Sequence, residues 1–184
     1  MISLPILRST VENTFICLLP CDDDAAVLHE TFDLLFALQA FPYIKLPLHV
    51  TLYFFPALTA EKNLEASAWV RQAGATSKGP IVADIEKVSY FQKDGHDFVY
   101  YIPVFSKQIT NLHDDLFARF KHIHTDPFDF VPHLSLFYPA SNLRDEEKKE
   151  AQKLYANFQN ITFDRIAFAA EKGNGTHFID VQPL

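Results

Sequence analysis

Two tetrapeptides constrain this chain more than any other feature. Residues 49–52 read His-Val-Thr-Leu, and residues 133–136, 84 positions later, read His-Leu-Ser-Leu. Pro47 or Pro132 precedes each, and each runs on into aromatics, Tyr53-Phe54-Phe55 or Phe137-Tyr138. Short apolar runs bounded by proline read as strands. In a strand, residues i and i+2 share a face. His49 and Thr51 then point one way and Val50 and Leu52 the other. The same alternation separates His133 and Ser135 from Leu134 and Leu136. Two such strands side by side would surround a small anion with two proton-transfer groups and two hydroxyl donors.

The rest of the chain repeats one order twice. The first pass begins with a buried strand at Thr14–Leu19 ending at Pro20, then a helix opening in Asp22-Asp23-Asp24 and running to about Phe41. Pro42 and Pro47 bracket a loop before the first His strand. Thr59 opens a helix that stops near Gly74, and a strand from Ile81 to Phe91 follows. Asp94-Gly95 signals a hairpin into Phe98–Val104. The second pass has a helix capped by Ser106 with Ile109, Leu112, Leu116 and Phe120 on one stripe. Pro127 and Pro132 bracket its loop before the second His strand. A charged helix from Asn142 to Phe158, a strand at Ile161–Ala169, a turn at Gly173-Asn174-Gly175 and a last strand at Thr176–Val181 complete it. Self-similarity at a fixed period marks duplication. We expect one α+β domain over residues 1–184, with lobe-forming repeats at about 14–91 and 97–171 and a last strand at 176–181. The expected form is a bilobal duplicated fold: two antiparallel sheets with outer helices around a central cleft, related by a pseudo-two-fold axis.

Composition narrows the partners. The chain has 184 residues, 48% hydrophobic and 21% charged, an ordinary globular profile with length enough for a sizeable core. Its 18 phenylalanines belong mostly to that core. A net charge of −7 argues against an extended nucleic-acid surface. No apolar run reaches the length of a bilayer crossing, and the start, Met1 to Arg8, lacks a charged leader ahead of an apolar segment. We therefore expect a cytoplasmic protein. Cys17 and Cys21 lack a second cysteine pair to complete a zinc site and read as reduced thiols.

Histidine exchanges a proton near neutrality. A neutral imidazole can act as base while a protonated one acts as acid. A phosphodiester cleaved by water needs both, since water loses a proton as the leaving oxygen gains one. Thr51 and Ser135 can donate to the non-bridging oxygens.

The pair His49-x-Thr51 and His133-x-Ser135 resembles the signature of the two-histidine (2H) phosphoesterases, which include cyclic nucleotide phosphodiesterases and 2′-5′ RNA ligase-like proteins. The spacing, the duplicated layout and Phe130-Val131-Pro132-His133 carry the likeness over nearly the whole chain. Pro132 to Tyr138 looks most like the plant and fungal cyclic phosphodiesterases, which carry Leu-Tyr where this chain has Phe137-Tyr138. The resemblance implies metal- and cofactor-free opening of nucleoside 2′,3′-cyclic phosphates or ADP-ribose 1″,2″-cyclic phosphate. It assigns Tyr138 a substrate contact, although strict alternation puts Tyr138 opposite His133, so that role requires a bulge or the strand end. Tyr53, Phe137 and Tyr138 are candidates for stacking on a base. The expected partner is a small cyclic-phosphate nucleotide or an RNA terminus. Two alternatives stay open: RNA-end processing that hydrolyses or ligates 2′-5′ linkages, and a nucleotide-binding module without turnover.

Other features have plainer readings. His29, His96, His113 and His177 read as ordinary core or surface residues. His122-Ile123-His124 with Asp126 resembles a metal cluster in outline, but no third ligand stands at helical or hairpin spacing, and a solvated loop fits better. The run Arg144–Glu150 is a solvated helix face.

Overall fold

The computed structural model describes residues 13–39, 43–45, 47–56, 58–125, 129–139, 142–154, 158–172 and 175–184. The readings at Met1–Arg8, Phe41, Pro42, Asp126, Pro127 and Gly173-Asn174 lie outside the described residues. Among the described residues, thirteen elements come in chain order: β1 (Thr14–Pro20), α1 (Asp22–Gln39), β2 (Tyr43–Lys45), β3 (Val50–Phe55), α2 (Ala60–Thr76), β4 (Ile81–Ile85), β5 (Ser89–Lys93), β6 (His96–Phe105), α3 (Lys107–Phe120), β7 (His133–Pro139), α4 (Asp145–Leu154), β8 (Asn160–Lys172) and β9 (Gly175–Pro183).

Local chemistry accounts for the boundaries. The Thr59 side chain accepts the Lys62 amide and caps α2. Asp94 and Gly95, at φ 53° and 78°, are both left-handed, the pairing a two-residue hairpin requires. Two boundaries differ from expectation. The strand expected at Ile81–Phe91 breaks at 86–88, where the Glu86 amide turns to the Pro103 carbonyl. Helix α2 runs through Gly74 to Thr76 instead of stopping there. Gly74 is a close-approach glycine: a Cβ on it would stand 2.6 Å from the Gln182 Cβ and 2.8 Å from the Pro183 carbonyl oxygen.

The α+β class is as expected, and every ladder is antiparallel. Where two sheets were expected, the ladders connect the nine strands of the described residues into one sheet. The order is β2-β7-β3-β1-β8-β4-β6-β5, with β9 on β8, and β6 pairs again with β7. All seven residues of β1 are buried, as befits a strand covered on both faces. Behind it lies the main core. Ile16, Leu18, Val50, Leu52, Leu134 and Leu136 pack there with Trp69 and Val70 of α2 and with Ile109, Leu116 and Phe120 of α3. A second, smaller cluster, Phe15, Cys17, Leu19, Ala167 and Ala169, occupies the opposite face of β1 and β8. Alternation places these on the face that Thr51 shares, since Cys17 pairs with Thr51. Among the described residues, no helix is long and apolar enough to cross a membrane.

Candidate active site

The two motifs meet at one ladder pair. Val50 of β3 lies opposite Leu134 of β7, in antiparallel register. Stepping one residue either way sets His49 opposite Ser135 and Thr51 opposite His133. Directly opposed residues share a face, so both imidazoles and both hydroxyls rise on one side. Val50 and Leu134, 0% and 1% exposed, anchor the other side in the core. Each histidine is thus flanked by the hydroxyl of its own motif and faced by that of the other.

Both imidazoles are held in the same way. His49 Nδ1 lies 2.7 Å from the Pro47 carbonyl and His133 Nδ1 lies 2.7 Å from the Val131 carbonyl, each two residues upstream. A carbonyl only accepts, so Nδ1 carries the hydrogen, and Nε2 is left to exchange protons. Rings fix the rest of the orientation. His49 stacks on Phe15 at 5.0 Å, while His133 stands edge-on to Phe91 and Tyr101, each at 5.1 Å. Burial pushes the His49 imidazole below its ordinary 6.5; the Pro47 carbonyl opposes this, and the nearby His133 adds to it. Burial likewise lowers His133 against the pull of the Val131 carbonyl. The Cys17 thiol, pushed far up by burial, offers no nucleophile on this face.

Beyond each hydroxyl, simple alternation fails. In β3, Tyr53 pairs with Ile16 and Thr51 with Cys17, which leaves Leu52 as an extra residue. In β7, Phe137 pairs with Tyr100 and Ser135 with Tyr101, which leaves Leu136 as an extra residue. Both motifs therefore bulge at the leucine after the hydroxyl, and a bulge re-aims the side chains beyond it. Tyr138 is brought to the site face, the condition its expected role required. Phe137 is turned into the core, 1% exposed and stacked on Tyr100 at 4.9 Å; as a base-stacking candidate it is corrected. Tyr53 is corrected too. It borders the cavity, but it is only 6% exposed and its hydroxyl donates to the His124 carbonyl, so it presents no open ring face. The residue in the position equivalent to Tyr138 is Phe54, which the alternation of the motif did not single out.

The site face opens into a cavity of about 900 Å³ whose wall includes Thr51, His133, Ser135 and Tyr138. His49 stands at the entry to β3, beside this wall. Aromatic residues not proposed for the site from sequence also line the cavity, among them Phe54, Phe91, Phe98, His113, Phe117 and Phe130. His113, read as an ordinary histidine, has Nδ1 2.8 Å from the Leu52 carbonyl, where it donates, and its ring lies flat on Phe130 at 3.8 Å. His124 lines the cavity as well; among the described residues, no three His, Cys, Asp or Glu groups stand together to hold a metal.

The sequence model of the 2′-5′ RNA ligase superfamily matches residues 23–175. The chain belongs to that superfamily. No curated protein matches it at a significant level. Among solved structures, TT0787 of Thermus thermophilus has a TM-score of 0.67 at 16% identity, over 94% of this chain and 97% of that one. LigT of E. coli complexed with 3′-AMP has a TM-score of 0.58 at 16% identity, over 95% of both chains. LigT complexed with NADP+ also has 0.58, at 17% identity, over 94% of this chain and 95% of that one. These likenesses establish the shared fold, and the superfamily is one of phosphoesterases and ligases.

Proposed function

We propose that the protein is a metal-independent phosphodiesterase that hydrolyses cyclic phosphodiesters, of the nucleoside 2′,3′-cyclic phosphate or ADP-ribose 1″,2″-cyclic phosphate type. The observation that carries this reading is the Val50–Leu134 pair, which gathers His49, Thr51, His133 and Ser135 on one face. The neutral imidazole of one histidine takes a proton from water at Nε2 as the water oxygen bonds to phosphorus. The ester bond to the leaving ribose oxygen breaks, and the protonated imidazole of the other histidine delivers its Nε2 proton to that oxygen. The product is a phosphate monoester, and the two histidines have exchanged protonation states. Thr51 and Ser135 donate to the non-bridging oxygens where charge builds. Tyr138, 36% exposed beside the site, offers a ring face to the base. The LigT complexes with 3′-AMP and NADP+ support a nucleotide ligand for this fold. A binding module needs no pair of proton-transfer groups, so the two held imidazoles favour catalysis over binding alone.

The test is turnover of a nucleoside 2′,3′-cyclic phosphate by protein exhaustively treated with a chelator. Formation of the nucleoside monophosphate is expected. Activity that vanishes on chelation and returns with a divalent ion would place the chemistry in a metal-dependent class. The second reading, processing of RNA ends at 2′-5′ linkages, is favoured by the superfamily match and by a cavity of about 900 Å³. With a net charge of −7 we expect small cyclic phosphates to be preferred over long RNA. A kcat/KM at least about tenfold higher on an oligoribonucleotide with the same cyclic end, falling steeply with salt, would shift the assignment to that reading.

A further inference from the structure

Among the described residues, Val50–Leu134 is the one ladder pair that β3 and β7 share. A single pair sets the register of two strands but does little to fix the angle between them. Thr51 lies one residue past that pair, and Leu52, next after it, has no ladder partner: β1 skips it, and β7 meets β3 only at Val50. The bulged leucine is held from outside the sheet instead. His113 of α3 donates from Nδ1 to the Leu52 carbonyl over 2.8 Å.

The same imidazole reaches the second motif. Its ring lies flat on Phe130, with centroids 3.8 Å apart and planes within 3°. Phe130 immediately precedes Val131, whose carbonyl holds His133 Nδ1 at 2.7 Å. One side chain thus grips the first motif through a hydrogen bond and the segment that orients the second through a ring face. Its own mounting is firm. Ile109 and Leu116, four residues before it and three after, are buried against the core, and Tyr53 and Phe117 stand 6.3 Å from the ring. We infer that His113 is a positioning residue of the site, holding the Leu52 carbonyl, and with it the Thr51 hydroxyl, in fixed relation to the segment that carries His133. This rests on the reading of Thr51 as a donor to the reacting phosphate. In this role the imidazole acts through its Nδ1 hydrogen and exchanges no proton with the substrate, so a side chain that donates from the same place replaces it.

The test substitutes His113 in the full chain. Asparagine places its amide nitrogen about where the imidazole has Nδ1 and still donates; phenylalanine keeps a flat ring for Phe130 and donates nothing. His113→Phe is expected to lower kcat and kcat/KM for a nucleoside 2′,3′-cyclic phosphate equally, by at least about tenfold, against the roughly 10²–10³-fold that losing one such donor outright costs. His113→Asn should recover most of that loss. In a Thr51→Ala background His113→Phe should cost little more, because the hydroxyl it positions is gone; a loss of packing alone would multiply through. Near wild-type kcat in His113→Phe, an asparagine variant as slow as the phenylalanine one, or losses that multiply in full in the double variant would each overturn the inference. Urea midpoints are read on the same samples, and His113→Leu takes the place of His113→Phe if the latter does not fold. Failure of the phosphodiesterase reading shows separately, as wild-type protein that turns over no cyclic phosphate. The same cycle is then read on the dissociation constant of a nucleoside 3′-monophosphate. A weakening by His113→Phe that disappears in the Thr51→Ala background upholds the inference; no weakening, or an equal one in both backgrounds, overturns it.

Discussion

Replacing His133 by glutamine separates proton transfer from positioning. The imidazole is half-buried, bonded through Nδ1 to the Val131 carbonyl and packed edge-on against Phe91 and Tyr101. A glutamine amide reaches about as far as Nε2 and still donates a hydrogen bond, but it does not titrate near neutrality. The structural loss is one hydrogen bond, about 0.5–1.5 kcal/mol. The chemical loss is that of a general acid or base, about 10²–10⁴-fold in kcat, or about 2.7–5.4 kcal/mol at about 1.36 kcal/mol per decade. The two effects differ enough to be measured on one sample: saturating turnover of a nucleoside 2′,3′-cyclic phosphate, and the urea midpoint. His49→Gln should behave alike. The two histidines serve one reaction step, so the double variant should lose far less than the product of the single losses. Near wild-type kcat in either folded single variant would refute the mechanism. Multiplicative losses in the double variant would refute the shared proton circuit.

Three further outcomes rest on the same geometry. Both histidines lie below their ordinary 6.5 in the folded state, so the unfolded chain binds more protons below that pH; stability should fall as pH drops from 6.5 through the lowered values, and the His49→Gln/His133→Gln double variant should show a flatter urea midpoint across that window. Asp97 is buried where desolvation alone would raise its carboxyl, yet hydrogen bonds from Tyr100, Gln92 and Lys148 hold it below its ordinary value; Asp97→Ala orphans these donors and should cost about 3–5 kcal/mol in chemical denaturation, and a loss under about 1 kcal/mol would contradict the buried pairing. Gly74→Ala gains about 1 kcal/mol of helix propensity, but its Cβ meets Gln182 at 2.6 Å and the Pro183 carbonyl at 2.8 Å, so the melting temperature should fall; a rise would show that the end of β9 yields freely.

Element type was readable wherever one local signal acted alone. Thr59 capped the helix it was expected to cap, Asp94-Gly95 made its turn, and the α3 stripe buried Ile109, Leu116 and Phe120. Gly74 misled because two rules compete for a glycine near a helix end. It can terminate the helix, or it can let another backbone pass, and only the position of Gln182 and Pro183 decides. The site shows the same division. The period of two correctly put each histidine with its hydroxyl, since the motif ends before the ladder is disturbed. One residue further, each leucine is expelled from the pairing, and the period of two then assigns every later side chain to the wrong face. Tyr53 and Phe137 were misplaced for that single reason. Comparing the two copies residue by residue would have linked Phe54 to Tyr138. No local pattern could have brought His113 to the site, because its place depends on a carbonyl 61 positions away in sequence.

The upstream prolines show which part of each motif does the orienting. In the first copy the carbonyl that holds the imidazole belongs to Pro47; in the second it belongs to Val131, and Pro132 sits one residue closer to the histidine. Proline identity is therefore not what places the acceptor. The common element is a chain that enters the strand with the carbonyl two residues before the histidine turned back toward Nδ1. Proline favours such an extended entry from either position, by fixing its own φ or by restricting the residue before it. A backbone acceptor survives side-chain substitution, so both copies keep the same tautomer while the side chains around them diverge. Two imidazoles with the same free nitrogen, set diagonally across an antiparallel pair, can exchange the roles of acid and base. Their assignment then falls to the surroundings, and these are unlike: Phe15 stacks on the face of His49, whereas Phe91 and Tyr101 meet His133 edge-on.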